Sequence, residues 1–165
     1  MMYYTGIGSR KAPQECLELA TAVATFMSMR GYTLRTGDAE GMDKAFWSGS
    51  HTSLRQRFSS KDARPWTYEK VKKYIPEDRS GFDNWKPYVK GLLARNMMQV
   101  LGEHGDTPSS LILCYTPVLY YNNSDCGGTG YAIRCALDHD IPVFNMADPE
   151  VFRVLQSWVE ENVHE

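Results

Sequence analysis

Three glycine-rich turns carry the residues of this chain best suited to chemistry. The first is Thr5-Gly6-Ile7-Gly8-Ser9-Arg10 and the second Thr36-Gly37-Asp38-Ala39-Glu40-Gly41-Met42-Asp43. The third is Asp125-Cys126-Gly127-Gly128-Thr129-Gly130-Tyr131-Ala132-Ile133-Arg134. Each follows an apolar run. Glycines let the backbone approach an anion closely, and a helix N-terminus just beyond them supplies unpaired N–H groups and a positive dipole end. The chemistry expected is therefore the holding of a phosphate-bearing ligand. Gly6, Gly8, Gly127, Gly128 and Gly130 form the cradles, and Ser9 and Thr129 add hydroxyls. Arg10 adds a guanidinium suited to bidentate contact with phosphate or carboxylate. Arg134 stands one turn into the helix that follows the third cradle, facing either the ligand or water. Thr116, just after an apolar strand, is a rim residue.

The second turn differs in charge. Thr36 and Gly37 open it, but Asp38, Glu40 and Asp43 make it acidic. Carboxylates repel phosphate, so Asp38 and Asp43 suit ribose hydroxyls, a base edge or a helix cap, while Glu40 reads as solvated. The same two aspartates are the candidate acids if the chain cleaves an N-glycosidic bond. Arg95 and Asn96 interrupt an apolar stretch, where polar groups need partners; they either tie neighbouring loops or line a cleft. Metal chemistry is not expected. His51, His104, His139 and His164 are far apart, and the four cysteines form no C-x-x-C pair. A G-x-S-x-G nucleophile elbow is absent as well. No cofactor is called for.

These turns need strands before them and helices after them, and the pattern supplies both. Met2 to Gly6 and Tyr32 to Thr36 read as strands, as do Leu111 to Tyr115 and Ile141 to Met146. Helical spacing runs from Gln14 to Arg30, from about Gly41 to Gly49, from Asn84 or Trp85 to Leu101 and from Tyr131 to His139. A last helix is capped by Asp148-Pro149-Glu150. Strands alternating with helices imply right-handed crossovers, an α/β fold and a mostly parallel sheet. Ligands of such sheets lie beyond the carboxyl ends of the strands, where all three turns fall.

The stretch from Ser50 to Asn84 has no clean period. It reads as a loop-rich insertion into a single domain covering residues 1–165. Its Arg55 to Lys73 portion is basic, although the whole chain carries a formal charge of -2. A generic nucleic-acid coat is thus disfavoured, yet that portion, with Trp66 and Tyr68 as stacking platforms, suits single-stranded DNA. No run is long and apolar enough to cross a bilayer, and the N-terminus lacks a signal-type segment. Buried free thiols in a cytoplasmic protein are the expectation.

The glycine-serine-arginine turn, the glycine and acid loop at Thr36 to Asp43 and the Gly-Gly-Thr-Gly turn together resemble the SLOG superfamily. That group includes DNA processing protein A and the Lonely Guy nucleotide hydrolases. Arg95-Asn96-Met97-Met98-Gln99-Val100-Leu101-Gly102 and Gly128 to Arg134 look most like small stand-alone proteins of the DNA-processing type, many from phages. The resemblance covers the chain outside residues 50–84. It implies a Rossmann-like three-layer sandwich, a pocket for a nucleotide, a nucleotide-derived ligand or single-stranded DNA, and often a homodimer. Two departures matter. Relatives usually read Ser-Gly-Gly-Ala where this chain has Thr36-Gly37-Asp38-Ala39. Lonely Guy enzymes carry G-G-x-G-T-x-x-E, and here the threonine position is Tyr131 and the glutamate position Arg134. A base in place of that acid argues for binding over glycosidic cleavage.

Overall fold

A computed structural model describes residues 1–164. Five parallel strands form one sheet: β1 (Met2–Gly8), β2 (Tyr32–Gly37), β3 (Arg55–Phe58), β4 (Ile112–Tyr115) and β5 (Val143–Asn145). Their order is β3-β2-β1-β4-β5, so β1 is central. Thr5 pairs with Arg35 on one side and with Ile112 on the other. The sheet is parallel throughout, as the alternation of elements requires. It is flanked by α1 (Gln14–Met29), α2 (Met42–Gly49), α3 (Pro65–Val71), α4 (Pro87–Leu101), α5 (Thr129–Asp138) and α6 (Pro149–Val163).

Side-chain alternation sorts the core into two layers. On one face Tyr4, Leu34 and Leu113 pack under α1 and α2 with Leu19, Val23 and Phe46. On the other, Ile7, Ile112 and Cys114 meet α4 and α5 through Met97, Val100, Ala132 and Ile133. Cys16, Cys114 and Cys135 are free thiols inside these layers, and Cys126 is a further buried free thiol outside them. Gly6 belongs to the first layer, because a Cβ there would stand 2.6 Å from the Phe46 ring. Its small size lets α2 lie directly on β1. Among the described residues, no helix is long and apolar enough to cross a membrane.

Residues 50–84, read from the sequence as loop-rich, carry more regular structure than that reading gave them. Arg-Gln-Arg-Phe forms β3, the edge strand beside β2, and Pro65 opens α3 at a position where a missing N–H costs nothing. Val71, Tyr74 and Phe82 are buried core residues. β3 escaped detection because its order comes from backbone pairing: only Phe58 of its four residues is buried. Trp66 and Tyr68 are not exposed platforms either. Both pack against the core, and the Trp66 indole N–H donates to the Glu103 carbonyl.

Candidate functional site

The chain reverses direction across the sheet between β1 and β4, which opens a crevice at their carboxyl ends. A cavity of about 440 Å³ fills it, a volume typical of small-ligand sites. Gly8, Ser9 and Arg10 form one wall, and Gly127, Gly128 and Thr129 stand opposite with Thr116 and Pro117. α4 contributes Leu92, Leu93, Arg95, Asn96 and Gln99, and Asp43 lies at the base.

The first turn is clamped at both ends. Ser9 N–H donates to the Tyr115 carbonyl at 2.9 Å, and Met42 N–H donates to the Ser9 carbonyl at 3.3 Å. A Cβ on Gly8 would stand 2.5 Å from the Tyr115 oxygen, so only glycine fits there. This clamp holds Arg10 at the cavity edge. Among the described residues no hydrogen bond or ion pair engages its guanidinium, leaving it available to an anion. Across the cavity, Gly127 has a positive φ of 59°, which favours glycine, and open space on its Cβ side. α5 begins at Thr129, two residues earlier than periodicity indicates, so Gly127 and Gly128 sit directly at its N-terminus. The Asn96 amide donates to the Gly128 carbonyl at 2.9 Å and fixes this turn to α4.

Asp43 ties the first two turns together. Its carboxyl accepts from the Gly8 N–H and the Ala39 N–H, both at 3.3 Å. The side chain is only 4% exposed, and burial pushes its pKa up to about 6. The Arg95 guanidinium and the two N–H donors oppose that shift, while Asp38 adds to it. Arg95 joins α4 to the second turn and to β3: Nη1 meets Asp38 Oδ1 at 2.7 Å and the Phe58 carbonyl at 2.6 Å.

The raised Asp43 pKa has a sign-determined consequence. The unfolded chain releases this proton near pH 3.8 and the folded chain near 6. Between those values the native state holds more protons, so stability falls as pH rises across the window, by about 3 kcal/mol in all. Urea unfolding at pH 4.5 and pH 7.5 should show a loss that Asp43→Asn largely removes. A pH response identical in the two proteins would rule this out.

Not every sequence candidate reaches the cavity. Gly8, Ser9, Arg10, Asp43, Arg95, Asn96, Thr116, Gly127, Gly128 and Thr129 line it. Gly6, Thr36, Gly37 and Gly130 lie beneath the surface as buried packing positions. Asp38 stands behind Arg95 as its ion-pair partner. Arg134 corrects the expectation of a ligand-facing cation. Its Nε donates to the Tyr74 carbonyl at 2.7 Å and its Nη1 to the Tyr121 carbonyl at 2.6 Å. A Cβ on Gly130 would stand 2.8 Å from that Nη1, so the glycine makes room for the guanidinium to fold back under the turn. Arg134→Met should therefore lower unfolding free energy by about 1–3 kcal/mol, the range for lost charge-assisted bonds, without weakening anion binding. Calorimetry of unfolding together with a ligand titration checks both halves.

The cavity is also lined by residues to which the sequence reading gave no binding role: Gln99, Leu92, Leu93, Pro117 and Asp125. Gln99 is 1% exposed. It lies on the same face of α4 as Arg95 and Asn96, one turn on, and that spacing is the signal that would have found it.

No family model matches the sequence, and no curated protein matches it. The fold is similar to that of DNA processing protein A from Helicobacter pylori, solved for the single-stranded DNA binding mode of that protein. The TM-score is 0.61 at 15% identity, over 99% of this chain and 80% of that chain.

Proposed function

We propose that this protein binds single-stranded DNA by seating one nucleotide in the cavity between the first and third turns. The observation that carries the reading is the unengaged Arg10 guanidinium across from the open Gly127–Gly128 turn. A phosphate between them would meet a bidentate donor on one side and helix N-terminal N–H groups on the other. The similarity in fold to a protein that binds single-stranded DNA supports the same reading. Arg57 and Lys61 line a mixed-charge cleft next to the site, together with Asp62 and the Arg64–Glu103 ion pair. The cleft joins the site where the Phe58 carbonyl accepts from Arg95, and the two cations can contact a continuing strand.

Anisotropy titrations with a labelled thymidine 12-mer test this. Affinity should fall steeply between 50 and 200 mM salt, because phosphate contacts release counterions, and Arg57→Ala with Lys61→Ala should flatten the slope. Absence of strand binding at 50 mM salt would defeat the proposal.

A second reading is favoured by one feature, the Asp43 carboxyl at the base of the cavity, whose pKa burial raises to about 6. Such a group suits acid catalysis on the N-glycosidic bond of a bound nucleotide. Incubation with nucleoside monophosphates and chromatography for free base decides it; activity unchanged in Asp43→Asn would exclude that residue.

A further inference from the structure

If the cavity seats one nucleotide of a single strand, the nucleotides on either side of it lie across its mouth, and the mouth is where the chain exposes free aromatic rings. α4 shows which end is the mouth. Its cavity-lining residues grow more exposed toward the helix N-terminus, from the buried Gln99 and Asn96 through Leu92 to the exposed Val89. Tyr88 is the next residue out. It precedes Leu92 by four, which sets it beside Leu92 on the cavity side of the helix, and helical side chains lean toward the N-terminus. Tyr88 is 63% exposed. The second ring sits on the segment that follows β4. Thr116, Pro117 and Cys126 of that segment line the cavity, and the Cys126 thiol donates to the Tyr120 carbonyl at 3.1 Å. Tyr120 is 60% exposed, and Leu119 beside it is exposed as well.

Single exposed apolar side chains are ordinary on a protein surface. Place and lack of partners set these two apart. Among the described residues the exposed aromatic side chains are Tyr88, Tyr120 and Phe144, and the two tyrosines both stand on segments that enclose the cavity. The four tryptophans are already occupied. Trp47 carries the Arg55 and Arg57 guanidiniums at 3.9 and 4.4 Å from its ring centre, Trp85 carries that of Arg79 and Trp158 that of Arg30. Trp66 packs on the core, as does Tyr68. Tyr88 and Tyr120, by contrast, meet no other ring and no cation among the described residues, and neither hydroxyl makes a hydrogen bond there.

We propose that Tyr88 and Tyr120 are stacking platforms for the bases that flank the seated nucleotide, which extends the strand-binding reading of the cavity from one nucleotide to a short run. Every base has a π-face, so such platforms hold a strand without regard to its sequence. A tyrosine suits the place, because its ring lies on the base while its hydroxyl stays in water. The labour divides accordingly. Arg10 and the N-terminus of α5 take the phosphate, and the two rings take the neighbouring bases. The stacking surface thus belongs to the cavity mouth and not to the basic stretch from Arg55 to Lys73, whose aromatic rings are packed away.

The test is anisotropy with the full chain and two 12-mers, one all thymidine and one with a single central thymidine among abasic sites, beside calorimetry with thymidine monophosphate. The two strands carry the same phosphates and differ only in bases. The parent should bind the all-thymidine strand at least fivefold tighter than the abasic one, the low end for one stacked base. Tyr88→Ala and Tyr120→Ala should each weaken the all-thymidine strand by about fivefold to a hundredfold, while Tyr88→Phe and Tyr120→Phe stay within twofold of the parent. No variant should move the monophosphate Kd by more than twofold, since a lone nucleotide has no neighbours to stack. Equal affinity of the parent for the two strands, or alanine variants that bind like the parent, overturns the stacking role while leaving strand binding intact. Alanine variants that lose the monophosphate to the same degree also overturn it, because the rings would then belong to the cavity itself. Phenylalanine variants as weak as the alanine ones overturn it in favour of a hydroxyl contact. A parent that self-associates in sedimentation at the binding concentration, beside alanine variants that do not, makes the rings an interface between copies and overturns it as well. Failure of the parent to bind any strand overturns the site reading beneath the proposal. The abasic comparison needs no variant, so it decides the matter even if a substitution disturbs the fold.

Discussion

Replacing Arg10 with alanine should weaken binding of a phosphate-bearing ligand by about 1.5–3 kcal/mol, roughly tenfold to more than a hundredfold in Kd. The size of the effect follows from the position of the side chain. Arg10 is exposed at the cavity edge and has no partner among the described residues, so its contribution to the fold is small and its contribution to an anion is undivided. The backbone that carries it is fixed independently, by Ser9 N–H on the Tyr115 carbonyl and Met42 N–H on the Ser9 carbonyl. Truncation therefore removes the guanidinium without moving the turn. Thermal unfolding should stay within a degree or two of the parent, while the Kd for a short strand or a nucleoside monophosphate rises. Arg10→Lys should recover part of the loss, because a lysine restores charge but not the bidentate fork. An unchanged Kd in Arg10→Ala would remove this wall of the cavity from the binding reaction.

Arg95→Met should produce the largest stability loss in the site, about 2–4 kcal/mol. Arg95 is buried and holds three elements at once. Nη1 reaches Asp38 Oδ1 and the Phe58 carbonyl, and Nε reaches the Leu92 carbonyl at 3.2 Å. Methionine fills much of the same volume but supplies no donor, so the buried carbonyl of Phe58 loses its charged partner. Asp38→Asn is the matched control. That carboxylate is 44% exposed, and partly solvated ion pairs are worth about 1 kcal/mol or less. A second effect reaches Asp43. With the Arg95 charge gone, the opposition to burial weakens and the Asp43 pKa rises further. Urea midpoints for the two variants separate these contributions. Equal, small losses in both would show that Arg95 acts only through its surface ion pair.

Much of this architecture is legible along the chain. β1, β2, β4 and β5 announce themselves as apolar runs ending in turn residues, and the turns at Gly8 to Arg10 and Gly127 to Thr129 lie where parallel sheets hold ligands. β3 was hidden because an edge strand with one buried residue has no hydrophobic pattern to read. Gly130 looked like part of the turn; it is in fact inside α5, where a Cβ would stand 2.7 Å from that of Cys126. Arg134 looked ligand-facing because it closes a glycine motif. Sequence spacing places it one turn along the helix, but not which way the guanidinium folds, and two backbone carbonyls on the far side decide that. Asp38 and Asp43 looked alike in one acidic loop. Helix geometry separates them, sending Asp43 into the cavity floor and Asp38 to the outer side of Arg95.

The central position of β1 also sets the order in which the molecule can assemble. Its pairing with β2 joins neighbours in sequence and can form early. Its pairing with β4 cannot: the Thr5 hydroxyl bonds to Ser109, 104 residues further along, and the register places Thr5 against Ile112. Closing so long a loop carries an entropic penalty that only the finished sheet repays, the circumstance that slows folding in proteins rich in non-local contacts. A chain emerging from the ribosome thus holds Arg10 and its turn long before the opposite wall, Gly127 to Thr129, has been made. The cavity does not exist in any N-terminal half of this protein. It comes into being with the last third of the chain, so an occupant of the cavity would act on folding as a late clasp, holding together the two halves of the sheet that meet at β1 and β4.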